Sequence, residues 1–306
     1  MVYIINYIIT PVSVSAYVHM LNIFNCGKRL YFQLLFAIRA CIVYNTMLRW
    51  FILSMKISEI KDILAGSKLN ELPKITEQFK ADERAGVIKL VAQYEKKYNA
   101  YLAEIERMKK LSEMERELRA NGYKLVAGID EVGRGPLAGP VVTAAVILPD
   151  DCDILGINDS KKLSASKREE LSAEIREKAV AWALGSCSPA EIDEINILQA
   201  TYKAMAKAIN SLVPRPDFVL ADAVTIPAIT MKQRAVIKGD AKCITIGAAS
   251  IVAKVERDAM MVKYAEVFPE YGFESNKGYG SAEHIAAIKE YGPCPIHRKS
   301  FITHFV

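Results

Sequence analysis

Apolar and polar positions change rhythm twice along this chain. From Met1 to Ser54 apolar residues run almost unbroken. From Met55 to Gly122 they recur at three- and four-residue steps, as in Ile88, Leu90, Val91, Tyr94, Tyr98, Tyr101, Leu102 and Ile105, with Glu and Lys between them. That period predicts two or three amphipathic helices, the longest from about Asp82 toward Arg119. From Tyr123 onward, short apolar runs alternate with helical stretches. Lys124–Ile129, Val141–Leu148, Ala179–Ser186, Phe218–Ala221 and Ala235–Ile237 read as strands. Ser164 or Ser166 caps a helix reaching about Glu177, a second helix over Ile195–Val213 stops before Pro214 and Pro216, and Ile246–Phe268 and Ser281–Tyr291 supply two more. The pattern predicts an α/β domain over residues 123–306. Its sheet is mixed and five-stranded, antiparallel at the start and parallel later, flanked by helices and preceded by a helical extension over 55–122.

Charge sharpens the first boundary. Residues 1–54 hold no acid, and their only Lys or Arg residues are Lys28, Arg29, Arg39 and Arg49. Setting those aside takes the basic residues of the whole chain from 40 to 36 against 35 acidic ones, and the formal charge from +5 to +1. A strongly basic, nonspecific nucleic-acid binder is excluded, so any nucleic-acid contact needs a local patch or metal ions that invert the sign of an acidic site. Val2–Phe24 is long enough for a membrane helix, but Pro11, Asn6, Ser13, Ser15 and Asn22 interrupt it and no basic leader or cleavage pattern accompanies it. We read residues 1–54 as translated upstream sequence before a start at Met55, with a membrane anchor as the alternative. The six cysteines form no CxxC, and only Cys294 has a His, His297, at ligand spacing, which argues against zinc and disulfide frameworks and suits a reducing cytoplasm.

The candidate chemistry lies in GIDEVGRGPLAGPVV, Gly128–Val142. Asp130 and Glu131 fall where an apolar strand ends and a cleft can form. Gly133, Gly135 and Gly139 then let backbone amides approach a ligand, and Arg134 adds a fixed positive fork. Alone, this is equally a hairpin turn with solvated acids. Two further predicted strands also lead into carboxylates, Asp222 and Asp240. In an open α/β sheet, functional groups gather beyond strand ends, so four acids from three segments can share one cleft. Such a cluster suits Mg²⁺ or Mn²⁺, and two ions roughly 3.5–4 Å apart would promote in-line hydrolysis of a phosphodiester.

Taken together, the motifs resemble bacterial type 2 ribonuclease H, the ribonuclease HII family. GIDEVGRGPLAGPVV matches its first signature. NDSKKLS from Asn158, VLADA ending at Ala223 and GDAKCITIGAASIVAKVERD from Gly239 match the next three. NKGYGSAEH from Asn276 and GPCPIHRKSF from Gly292 match the last two. The segment from Met55 resembles the N-terminal extension of Bacillus-like members. One departure is Asp222-Ala223 where many members have Asp-Gly.

The resemblance implies a ribonuclease H-like fold in which Asp130, Glu131, Asp222 and Asp240 form the metal site. Asp130, Glu131 and Asp222 are its direct ligands, and Asp240 either completes the second metal position or orders a water. By the same resemblance Gly133, Arg134 and Gly135 sense the ribose 2′-OH, and Tyr279 stacks near an RNA–DNA junction. The implied activity is endonucleolytic cleavage of RNA in RNA–DNA hybrids and at single ribonucleotides in duplex DNA. It leaves 3′-OH and 5′-phosphate ends and serves removal of misincorporated ribonucleotides and primer RNA, by a cytoplasmic monomer with no organic cofactor and no membrane partner. A non-catalytic nucleic-acid-binding protein on the same fold is the competing reading. Lys161, Lys162, Lys254 and Arg257 either meet phosphates or are solvated, and His284 and His297 read as structural rather than as proton shuttles. The lysines at 89, 96, 97, 109 and 110 form either a substrate-gripping face or a solvated one.

Overall fold

The computed structural model describes residues 54–304, so the reading of residues 1–54 falls almost wholly outside it. The described residues form two compact units, 54–100 and 101–304. In the first, α1 (Ile57–Gly66), α2 (Leu72–Phe79) and the start of α3 (Ala85–Leu111) bury Ile60, Leu64, Leu72, Phe79, Val87 and Val91 together. The predicted single long helix is in fact two. It breaks after Leu111, where the Ser112 hydroxyl donates to the Met108 carbonyl at 2.8 Å, and α4 (Glu113–Ala120) follows. A serine that back-bonds one turn earlier competes with the helix ladder and bends the chain.

The second unit carries a five-stranded sheet in the order β3-β2-β1-β4-β5, formed by β1 (Val126–Val132), β2 (Val141–Ile147), β3 (Ala181–Cys187), β4 (Phe218–Asp222) and β5 (Lys232–Val236). β1 pairs antiparallel with β2 and β2 with β3, whereas β1–β4 and β4–β5 are parallel, as the pattern predicted. All five strands are shifted or trimmed by one to three residues at an end, and two of these differences have a clear physical reason. β1 runs through both acids, because its pairing with β2 continues to Val132↔Val142. β5 begins earlier than Ala235 because Lys232, Gln233 and Arg234 lie on an edge strand, where polar side chains are tolerated and the apolar signal is lost.

Helices cover both faces. α5 (Ala165–Lys178), capped by Ser164, and α7 (Ile244–Val267) pack with Ala144, Val146 and Leu148 on one face. The other face, with Ala127, Ile129, Ala145 and Ile147, buries Met205, Ala208 and Ile209 of α6 (Pro189–Asn210). The predicted start of α6 at Ile195 marks a kink: Asn196, at φ 65°, accepts from the Leu198 and Gln199 amides and re-caps a helix that Ser188 had already started. α8 (Phe273–Asn276), α9 (Ala282–Tyr291) and α10 (Lys299–Ile302) close the chain. Among the described residues no helix is long and apolar enough to cross a membrane.

Period-2 alternation puts Ile129 on the α6 face and Gly128 and Asp130 on the α7 face. α7 approaches so closely that a β-carbon on Gly128 would lie 2.2 Å from the Thr245 carbonyl carbon and 2.4 Å from the Ile246 nitrogen. Backbone cannot yield as a side-chain tip can. Gly128→Ala is therefore expected to cost about 3 kcal/mol or more, read as a lower urea midpoint. Gly66→Ala, with open space around it, should shift stability by less than about 1 kcal/mol. Equal effects at the two sites would contradict this account of the β1–α7 contact.

Candidate active site

Parallel pairing brings strand ends of the same polarity side by side. The last paired residues of β1 and β4 are Ile129 and Ala221, so one further step in register aligns Asp130 with Asp222 on the α7 face. β5 pairs Val236 with Asp222, then turns through left-handed Lys238 into Gly239, whose amide donates to Asp222 Oδ1 at 2.7 Å. Asp240 follows at once. The four expected acids thus gather around Asp222, whose charge acts on the other three.

Burial pushes the Asp130 carboxyl well above the usual carboxylate range, and the charges of Glu131 and Asp222 push it further, while the Ser250 hydroxyl and the Glu131 amide oppose them. That amide lies 2.8 Å from Asp130 Oδ1. Glu131 is also raised, chiefly by burial, despite the Arg134 guanidinium 3.2 Å away. Asp240 is raised by burial, by Asp159 and by Asp222, with Lys161 opposing. Asp130, Glu131 and Asp240 therefore each cost more to ionise than an exposed carboxylate does, a cost that a nearby positive charge would relieve.

Among the described residues, no three His, Cys, Asp or Glu side chains already form a closed cage for an ion. The donor set nevertheless fits a hard divalent cation, being made of carboxylate oxygens alone. Glu131 Oε2 is buried with no hydrogen-bond partner, an unmet demand that a cation would satisfy.

The glycine loop leaves β1 beside these acids. Gly133 has φ 95°, and a β-carbon there would sit 2.2 Å from Arg257 Nε, so both conformation and space require glycine. Gly135 has open space around it. Two fully buried guanidinium groups hold the loop from within. Arg298 donates to the carbonyls of Gly133, Arg134 and Gly139, and Arg257 donates to those of Ala138, Pro140 and Lys277. With the carbonyls of Gly133 and Arg134 turned inward, the amides of Gly133, Arg134 and Gly135 have no backbone acceptor among the described residues. Gly278 O accepts from the Leu137 and Ala138 amides, which ties this loop to the one carrying Tyr279. The Tyr279 ring is 46% exposed, with the Arg257 guanidinium 5.9 Å from its centroid.

Arg257 therefore meets neither phosphate nor solvent; it organises two loops. Lys254 pairs with Asp258 at 2.8 Å, and His284 and His297 are buried against each other, the structural role expected for them. In the α3 segment Lys97 lies over the Tyr94 ring and Lys109 faces Glu106 at 3.7 Å. Three contributors went unnoticed in the sequence: Ser250, whose hydroxyl favours the ionised form of Asp130 and lies 3.0 Å from Ser160 Oγ; Asp159, whose charge acts on Asp240; and Arg298. Each lies inside a quoted motif, but nothing in residue type separates them from solvated neighbours.

A family model described as ribonuclease HII matches residues 127–304, and one described as ribonuclease HII N-terminal domain matches residues 56–119. The chain belongs to the ribonuclease HII family. It is 56% identical over 252 residues to the ribonuclease HII of Lachnoclostridium phytofermentans, covering 82% of this chain and 98% of that protein. The ribonuclease HII of Clostridioides difficile is 48% identical over 250 residues, covering 82% and 98%. Among solved structures, the ribonuclease HII of Archaeoglobus fulgidus in complex with PCNA matches with a TM-score of 0.50 at 28% identity, over 59% of this chain and 96% of that one. The chain is accordingly a ribonuclease H.

Ala223, which follows Asp222 directly, has a left-handed φ of 53°. An L side chain there costs roughly 1–2 kcal/mol, while glycine's extra freedom when unfolded returns part of the difference. Ala223→Gly should therefore stabilise the protein by about 0.5–1 kcal/mol in urea unfolding; a loss of stability would show that the methyl group contributes packing instead.

Burial of Asp130 gives a second prediction. Its folded-state pKa lies above the unfolded value, so its contribution to stability is present below that ordinary value and is lost as pH rises through the folded one. Metal-free Asp130→Asn should melt about 2–6 °C above wild type at pH 8, with the gap narrowing at lower pH. Differential scanning calorimetry showing no gap, or one that widens on acidification, would contradict the buried-charge account.

Proposed function

We propose that this chain is an endonuclease that hydrolyses the RNA strand of RNA–DNA hybrids and incises duplex DNA at single embedded ribonucleotides, with Asp130, Glu131, Asp222 and Asp240 holding Mg²⁺ or Mn²⁺. The observation that carries the proposal is the convergence of three carboxylates on a fourth, Asp222, at the mouth of an amide-lined loop. A binding module would gain nothing from carboxylates where phosphates approach.

Bound divalent cations supply charge neutralisation at phosphorus, a water acidic enough to attack, and stabilisation of the leaving oxygen. The chain's own residues set everything around that chemistry. Asp130 and Asp222, aligned by strand register, fix one side of the cleft, and Gly239 holds Asp222 in its rotamer. Glu131 supplies an unpartnered oxygen and Arg134, 3.2 Å from its other oxygen, keeps a positive charge at the cleft's edge.

The unpaired amides of Gly133, Arg134 and Gly135 can donate to a ribose 2′-OH, the one group that separates RNA from DNA without reference to base sequence. The half-exposed Tyr279 ring offers a stacking face for the adjoining nucleotide. Cleavage on the 5′ side of the ribonucleotide then leaves 3′-OH and 5′-phosphate ends, and the cell would use it, in the cytoplasm, to clear misincorporated ribonucleotides and primer RNA. We propose that the protein acts as a monomer.

The test is a DNA duplex bearing one ribonucleotide, incubated with and without Mn²⁺. Wild type is expected to give one metal-dependent incision, and Asp130→Asn to lose more than about 10²-fold in rate. No incision by wild type would remove the proposal and leave the binding-module reading, whereas incision without metal, or equal incision by the variant, would remove the assignment of the reaction to these carboxylates and their metal.

A further inference from the structure

The loop carrying Tyr279 is held by a hydrogen-bonded pair of histidines that the reaction itself does not use. His284, on α9, and His297, in the segment before α10, are 0% and 3% exposed, and their Nε2 atoms lie 3.0 Å apart. His284 Nδ1 lies 2.7 Å from the Tyr279 carbonyl, and His297 Nδ1 lies 3.0 Å from the Cys294 amide.

The two ends fix every proton between them. A carbonyl only accepts, so His284 Nδ1 carries a hydrogen and, in a neutral ring, its Nε2 is bare. His297 Nε2 must then donate to it, which leaves His297 Nδ1 bare to accept from the Cys294 amide. The proton order read from Tyr279 and the order read from Cys294 agree. A proton added to either ring would set N–H against N–H at one of the three contacts.

The surroundings keep the pair neutral. The Tyr271 ring lies 4.8 Å from His297 and the Phe273 ring 5.3 Å from His284, centroid to centroid. Burial pushes both histidines down, His297 to about 4 with His284 adding to the effect.

The pair also closes a circuit. His297 forms an antiparallel bridge with Ala138, Gly139 N donates to Ile296 O, and Arg298 N donates to Leu137 O. Leu137 and Ala138 in turn donate to Gly278 O, next to Tyr279. Three segments therefore meet: the glycine loop, the Tyr279 loop and the stretch from Gly292 to Arg298. Remove the histidine contact and Tyr279 keeps its tie to the glycine loop through Gly278 but loses the side of the circuit that fixes its own carbonyl.

We propose that His284 and His297 are positioning residues for substrate discrimination: as one proton-ordered pair they set the Tyr279 face at a fixed distance from the Gly133–Gly135 loop. This rests on the reading of that loop and of Tyr279 as substrate contacts. A displaced platform weakens binding at the ribonucleotide junction while the carboxylates, which the pair does not touch, keep their turnover.

The experiment measures KM and kcat separately on duplex DNA with one ribonucleotide, for wild type, Tyr279→Ala, His297→Leu, His297→Gln and the double variant Tyr279→Ala/His297→Leu, each checked for folding by its melting transition. His297→Leu is expected to raise KM about tenfold with kcat within about threefold of wild type. His297→Gln, whose amide still donates to His284, should recover most of the loss, and the double variant should be no worse than Tyr279→Ala alone. Should the leucine variant fail to fold, His284→Asn, which keeps a donor for Tyr279 but breaks the link to His297, carries the same comparison. Unchanged KM in the folded histidine variants while Tyr279→Ala raises it, or effects that multiply in the double variant, would overturn the proposal. Unchanged KM in Tyr279→Ala itself would overturn the platform reading beneath it.

Discussion

Mutual repulsion among carboxylates in a half-buried cleft is the constraint around which the catalytic unit is built. Asp130, Glu131 and Asp240 each feel burial and the charge of Asp222. Water would dissipate that repulsion if the acids were exposed, and pairing with arginines would cancel it if they were structural ion pairs. Neither happens. A few donors hold the acids in place, Gly239 N–H for Asp222, the Glu131 amide for Asp130 and Arg134 for Glu131, and one Glu131 oxygen is left bare. The fold spends packing stability on a cluster of carboxylates whose charges are left uncompensated, and Asp130 is where that cost is greatest.

The positive charge needed to balance the cleft is kept out of it. Arg257 and Arg298 are fully buried, and burying a guanidinium is tolerable only when its donors are satisfied. Here the acceptors are backbone carbonyls of the glycine loop and of Lys277, so one set of contacts solves two problems. It satisfies the arginines and turns the carbonyls of Gly133 and Arg134 inward. Lysine could not replace this geometry, because a single ammonium cannot span carbonyls as far apart in the loop as Gly133 and Gly139.

Much of this was legible in the sequence because local rules and tertiary context agree. The strands β2 and β4 and the capped helix α5 show plainly in apolar period and cap residues, and so do the three segments bearing Asp130, Asp222 and Asp240. Where the two disagree the pattern fails. β5 hides behind the polar residues of an edge strand, α6 behind a kink that Asn196 re-caps, and the break between α3 and α4 behind one back-bonding serine. At the site, acids at strand ends announce themselves by type and position. Arg298, Ser250 and Asp159 do not, since an arginine buried on carbonyls and one lying in solvent are the same letter, and only the folded chain brings residue 298 to residues 133 and 134. His284 and His297 are thirteen residues apart and meet only because the chain turns back after α9.

The most direct measurement of the central claim is calorimetric titration of Mn²⁺ into the protein with no nucleic acid present, for wild type and Asp222→Asn. The account predicts binding to wild type and at least about a tenfold to hundredfold loss of affinity in the variant, since Asp222 is the residue whose charge reaches all the others. Equal affinity in the two proteins, or no binding to wild type at millimolar metal, would contradict it.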